Sequence, residues 1–239
     1  MTSLLKAYEA TNIGLVRKTN EDSYITIVPN TYIVADGMGG HVAGEIASNI
    51  LVKTAKDILS KEDLVCDESL LEYVILAANK AILDQVTQNE TYKGMGTTAT
   101  VFHKSGNRGI WAHVGDSRIY LLHDGDLQQI TRDHSLVFDL VKNGTITEEE
   151  AKTHPQRNML TRAVGVDKVL VVDKGSFDLA QDDIILLCTD GLTNMVSEAA
   201  IKEILLDKSV ANKAACLIEK ALDAGGKDNI TVIAVDCNV

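Results

Sequence analysis

Five aspartates, Asp22, Asp36, Asp116, Asp190 and Asp228, stand beside glycine, asparagine or glutamate where strand-like runs begin or end. Carboxylates gathered in one place without a cation repel one another and raise their own pKa values. Hard divalent cations resolve that conflict, and oxygen-only ligands suit magnesium or manganese. No histidine pair or cysteine pair offers a zinc alternative. Two ions sharing one carboxylate, roughly 3.5–4 Å apart, lower the pKa of water and supply hydroxide near neutral pH. Such a centre offsets the charge of an anionic substrate. It suits hydrolysis of a phosphate monoester, among the slowest of uncatalysed reactions. An arginine fork on phosphate oxygens would complete such a site; Arg17, a few residues upstream of Asp22, can reach that end of the sheet, although Arg17-Lys18 reads on composition as a solvated loop.

The elements that must position these groups can be read from the pattern. In Thr31-Tyr32-Ile33-Val34-Ala35-Asp36-Gly37-Met38-Gly39-Gly40-His41, a buried strand ends in an aspartate and a glycine-rich turn. A helix follows, with Ala43, Ile46, Ala47, Ile50, Leu51, Ala55 and Ile58 on one face. Ser23 to Val28 alternates as a strand, and Pro29-Asn30 turns it into the Tyr32 strand. Asp22 begins one strand of that hairpin and Asp36 ends the other, so antiparallel pairing brings both to one end. Ile184 to Cys188, followed by Thr189-Asp190-Gly191, repeats the device. Asp228 instead precedes its strand, Ile230 to Val235, so an antiparallel arrangement brings Asp36, Asp190 and Asp228 to one edge. Gly109 to Val114 leads into Gly115-Asp116-Ser117-Arg118, and Gly94-Met95-Gly96 feeds a central strand. Asp124-Gly125 is a hairpin turn to which no chemistry is assigned.

Amphipathic helices are expected over Asp67 to Val86 and Ala211 to Leu222, and a strand over Val169 to Asp173. Residues 131–165 break the rhythm, with a short helix at Leu136 to Lys142 and an acidic turn at Glu148-Glu149-Glu150. An irregular insertion of this length points to function or mobility and reads as a flap beside the site. Its His134 and His154 can be ligands, although isolated histidines are more often structural.

The 239 residues read as one domain, 1–239, and 45% hydrophobic content suffices for a large core. A net charge of −11 argues against nucleic acid as a partner. No apolar run is long enough to cross a membrane and no signal peptide is visible at Met1 to Ala10, which makes the cytoplasm the expected location. Cys66, Cys188, Cys216 and Cys237 have no short-range pairing, and Cys188 reads as a small core residue in a reduced compartment.

Taken together, Arg17 to Asp22, Asp36 to His41, Gly94 to Thr98, Gly115 to Arg118, Thr189 to Gly191 and Lys227 to Asn229 resemble the motifs of the metal-dependent protein phosphatases. That is the type 2C serine/threonine family, here of the compact bacterial kind, and the likeness runs from about Ala10 to Val235. The resemblance implies an α+β fold, a four-layer α-β-β-α sandwich of two antiparallel sheets flanked by helices. It implies that Asp36 bridges two manganese or magnesium ions, that the Gly37 carbonyl binds one, and that Asp190 and Asp228 hold the other. Asp22 supports the centre, with Glu21 as a further candidate, and Asp116 with Asp190 matches a third, weaker ion. Arg17 matches the phosphate-binding arginine. Met38 occupies the position of a histidine that animal members use as general acid. His41 matches a bacterial histidine; it either protonates the leaving oxygen or packs the helix start, and a metal-bound water is the alternative acid.

The implied activity is hydrolysis of phosphoserine and phosphothreonine in phosphorylated proteins, opposite a cognate serine/threonine kinase, by a monomer. The rival from another class is a catalytically weak phosphoprotein-binding regulatory module on the same fold. Such a module is expected to lose a metal aspartate, and none is missing. A calcium-binding structural domain is disfavoured by the lack of an EF-hand loop.

Overall fold

The protein is described from a computed structural model covering residues 5–39, 43–61 and 64–237. In chain order the elements are β1 (Lys6–Asn12), β2 (Asp22–Ile27), β3 (Thr31–Met38), α1 (Gly44–Leu59), α2 (Glu68–Gln88), β4 (Gly96–Thr97), β5 (Ala99–Ser105), β6 (Arg108–Val114), β7 (Arg118–His123) and β8 (Asp126–Gln129). They continue as α3 (Leu136–Lys142), α4 (Glu148–Thr153), β9 (Asp173–Asp178), β10 (Ile184–Cys188), α5 (Asp190–Thr193), α6 (Glu198–Leu206), α7 (Lys213–Asp223) and β11 (Ile230–Asp236). One sheet runs β1-β11-β10-β7-β8, the other β2-β3-β5-β6-β9, with β4 alongside β3. Every pairing is antiparallel.

Side-chain alternation turns these sheets into the expected four-layer α-β-β-α sandwich. In β3, Ile33 and Ala35 face α1 and α2, while Tyr32 and Val34 enter the seam between the sheets. In β10, Leu186 and Cys188 pack under α6 and α7, while Ile185 and Leu187 enter that seam. In β11, Val232 and Ala234 face the helices, and Ile233 and Val235 the seam. These strands are buried on both faces, which is why they read as unbroken apolar runs.

Some sequence expectations shift. The strand expected over Val169 to Asp173 lies later, at Asp173–Asp178, on the sheet edge beside β6. The apolar residues that attracted it instead alternate between the core below α2 (Leu170, Val172) and solvent (Val169, Val171). Residues 131–165 contain α3 and α4, each with a side-chain cap from Ser135 or Thr147. Their ends are stitched by the Ser135–Leu160 and Thr97–Val164 bridges. Buried Asn79 of α2 accepts the Gly165 N–H at 2.6 Å and donates to the Asp167 carbonyl at 2.9 Å.

Candidate metal centre

Asp22 and Asp36 are register partners on neighbouring strands, as the hairpin reading requires. Directly opposed residues share a sheet face, and the parity of Tyr32 and Val34 sends Asp36 toward the inter-sheet seam. The Asp36 peptide is fixed on both sides. Its N–H donates to Thr98 Oγ1 at 2.8 Å, and its carbonyl accepts from the Thr98 N–H and from Thr97 Oγ1. At Gly37 the chain passes so close to α1 that a Cβ would lie 2.2 Å from the Gly44 carbonyl oxygen. Only glycine admits that approach.

Asp22 joins the two sheets. Its Oδ2 accepts from Thr189 Oγ1 at 2.9 Å and Thr231 Oγ1 at 2.7 Å, both on the opposite sheet's side of the seam. Its Oδ1 is buried without a hydrogen-bond partner. Asp190 follows β10 at the start of α5, and its Oδ2 accepts from Asn194 Nδ2 at 2.9 Å. Asp228 precedes β11, antiparallel to β10, and accepts from Arg17 Nη2 at 2.8 Å.

Electrostatics confirm that the carboxylates are neighbours. Burial raises the Asp36 carboxyl well above its ordinary value, helped by Asp22, Asp190, Asp116 and Asp228. Burial raises Asp190 too, with Asp228 adding to the rise, and a hydrogen bond joins it to Asp36. Asp116 is raised well above its ordinary value by burial, then by Asp190 and Asp133. Asp22 is pushed up to about 7 by burial, against the pull of its two threonine partners. Glu21 rises through burial and then through Glu45. Among the described residues, no three histidine, cysteine, aspartate or glutamate side chains close into a formed ligand set. The residues nonetheless fit hard cations: an oxygen-only donor group, an unpartnered buried Asp22 oxygen, and carboxyls raised above their ordinary value first by burial and then by one another's charge.

Stability should therefore depend on pH in a defined direction. The folded Asp22 carboxyl titrates near 7 and the unfolded one near 3.8, so the folded chain binds the extra proton between those values. Without divalent cations, stability falls as pH rises through that window and stays low above it. In chelator, the melting temperature at about pH 5 should exceed that at about pH 8, and manganese should close the gap. Equal melting temperatures in chelator at both pH values would contradict this.

The remaining expectations sort cleanly. Arg17 is half exposed and held by Asp228. His41 lies outside the described residues. His154 caps α4 and accepts the Gln156 N–H at 3.2 Å, a local role. Asp124-Gly125 is a tight hairpin turn between β7 and β8, both residues at positive φ. Sequence reading gave no role to Asn229, which ties the Arg17 loop to the site. Its Oδ1 accepts the Glu21 N–H at 2.9 Å, and its Nδ2 donates to the Ile13 and Thr19 carbonyls. The signal lay in its position beside Asp228. Thr98, Thr189 and Thr231 were equally silent, because a buried threonine looks like any strand residue.

Two antiparallel sheets between helices, with acidic groups gathered at one end of their seam, define the architecture of the metal-dependent protein phosphatases. The chain belongs to the protein phosphatase 2C family, whose model matches residues 17–223. It is 40% identical over 241 residues to the serine/threonine phosphatase stp of Listeria innocua, covering 96% of this chain and 94% of that protein. The crystal structure of the Mycobacterium tuberculosis serine/threonine phosphatase PstP/Ppp matches with a TM-score of 0.92 at 40% identity, over 99% of this chain and 100% of that one. The catalytic domain of PstP in complex with two manganese ions matches with a TM-score of 0.89 at 39% identity, over 98% of each chain. The expected fold and family are thus borne out, and nothing among these relatives favours a non-catalytic module.

Proposed function

We propose that this chain removes phosphate from phosphoserine and phosphothreonine in proteins, using manganese or magnesium held by Asp36, the Gly37 carbonyl, Asp22, Asp190 and Asp228, with Asp116 and Asp190 serving a third, weaker ion. The observation that supports it most is a set of buried carboxyls at one end of the seam, among them an unpartnered Asp22 oxygen, whose charged forms burial and one another's charge disfavour and a cation relieves. When bound, the ions would supply positive charge and lower the pKa of water, making hydroxide available near neutral pH to attack phosphorus.

The side chains divide the remaining work. Asp36, whose backbone is fixed by Thr97 and Thr98, would hold the ions with its carboxylate. Asp22 keeps one oxygen free of hydrogen bonds, available to the centre, while the threonines hold the other. Arg17 binds the phosphate oxygens. Its present partner is Asp228, so committing Asp228 to a cation frees the guanidinium for substrate. The proton for the leaving oxygen comes from His41 or from water, and the pH profile of His41→Gln separates the two. Residues 131–165 act as a flap beside the site. The substrates imply a serine/threonine kinase that makes them, and a cytoplasmic monomer is the working form proposed. Among the described residues no helix is long and apolar enough to cross a membrane.

Phosphate release from a phosphopeptide should require manganese or magnesium and cease in chelator; full activity in chelator would refute this reading. Arg17→Ala should cut kcat/KM by about 10- to 100-fold, the worth of a charge-assisted hydrogen bond. Most of that loss should fall on KM. An unchanged KM would remove Arg17 from the phosphate site.

A further inference from the structure

Gly115 carries the chain into Asp116, and its peptide is gripped by two histidines. The Gly115 N–H donates to His134 Nδ1 at 3.1 Å. Its carbonyl accepts from the His134 N–H at 2.7 Å and lies 3.0 Å from His113 Nε2. Both rings are buried, with centroids 4.9 Å apart. A peptide N–H can only donate, so His134 Nδ1 presents its lone pair and the neutral ring carries its proton on Nε2. That nitrogen lies 3.2 Å from Asp173 Oδ2 and 3.2 Å from Arg162 Nη1; both nitrogens donate in this tautomer, so the Nε2 proton goes to Asp173 and the arginine contact is not a hydrogen bond. Arg162 Nη1 donates to the other Asp173 oxygen at 2.6 Å and so holds the acceptor in place. The His134 carbonyl accepts the Thr161 N–H at 2.8 Å. One residue thereby touches the Asp116 turn, both ends of the 131–165 segment and the first residue of β9.

The far side of Asp116 is tied as well. Ser117 Oγ bonds Thr98 Oγ1 at 2.8 Å, and Thr98 Oγ1 also accepts the Asp36 N–H. Gly115 sits at φ +114, where a Cβ would meet Thr98 Cγ2 at 2.5 Å. Glycine is required there, and glycine alone does not hold a fixed conformation. The rigidity has to come from what grips its peptide.

We propose that His134 is a positioning residue that, oriented by Asp173, clamps the Gly115 peptide and sets the direction in which Asp116 faces the acidic centre. The proposal rests on the reading that Asp116 serves a cation. It makes the base of the 131–165 segment a mechanical partner of the metal centre: movement of that segment changes the hold on Asp116 through one side chain. The His134 imidazole touches neither substrate nor cation.

The full-length chain tests this with His134→Asn, His134→Leu and Asp116→Asn. Asparagine returns an acceptor oxygen near the place of Nδ1, and leucine returns none. In the unaltered protein, nitrogen NMR of the His134 ring should show an unprotonated Nδ1 and a protonated Nε2. A proton on Nδ1 overturns the proposal without recourse to any variant. His134→Leu should accelerate exchange of the Gly115 amide and weaken manganese binding in calorimetry by about 10- to 100-fold, the range for residues that orient metal ligands. His134→Asn should recover most of both. Equal behaviour of the two variants overturns the proposal, because a residue that only fills space is not rescued by one acceptor atom. If Asp116→Asn binds manganese like the unaltered protein, the cation role of Asp116 fails and this proposal falls with it. Unchanged protection of Gly115 in His134→Leu marks the other failure, that of the clamp itself.

Discussion

Asp36→Asn should lower phosphate release at saturating manganese by about 10³-fold, because a lost bridging charge forfeits several kcal/mol at roughly 1.4 kcal/mol per tenfold. The fold should survive the change. The Asp36 backbone is pinned by Thr97 and Thr98 through bonds that do not involve its carboxylate. The variant also removes a group whose charge is opposed by burial and by Asp22, Asp190, Asp116 and Asp228. In chelator it should therefore melt no lower than the unaltered chain. An activity within tenfold of the unaltered enzyme, in a folded variant, would take Asp36 out of the centre.

Asp22→Asn should move stability and activity in opposite directions. An asparagine oxygen placed toward Thr189 and Thr231 keeps both hydroxyl bonds, and its amide takes the position of the unpartnered Oδ1. Above pH 7 the native carboxylate is a buried charge that folding disfavours, and the amide removes that cost. In chelator at about pH 8 the variant should melt higher than the unaltered chain, with the difference shrinking toward about pH 5, where the native group is protonated. Manganese should reverse the ranking, and activity should fall by about 10- to 100-fold. Asp22→Ala lacks the acceptor and strands the buried Thr189 hydroxyl proton, while Thr231 keeps only Thr11, so it should lose stability at every pH. A chelated Asp22→Asn that melts below the unaltered chain at about pH 8 would show that the carboxylate is structural.

The acidic centre was legible because strands buried on both faces are unmistakable, and an aspartate interrupting such a run has few bland explanations. β3, β10 and β11 announce themselves in this way, and strand polarity then brings Asp36, Asp190 and Asp228 to one end. The edges of the sheets were less visible. β1 has no fully buried residue, and β9, with the sequence Asp-Lys-Gly-Ser-Phe-Asp, pairs on one side only, so neither carries an apolar signature. Helix α6 passed unread, since only Ile201 and Leu205 of its nine residues are buried. The roles of the supporting polar groups were hidden for a different reason, even where the residue itself drew notice, as His134 did. Asn229, Thr98 and His134 act through partners 19 to more than 200 residues away, and local pattern contains no trace of such bonds.

Anomalous diffraction from a crystal soaked in manganese tests the central idea most directly. Two strong peaks are expected, one beside the Asp36 carboxylate and Gly37 carbonyl and one shared by Asp36, Asp190 and Asp228, with Arg17 released from Asp228. Saturating manganese with no peak among these side chains, and Arg17 still bound to Asp228, would contradict the account.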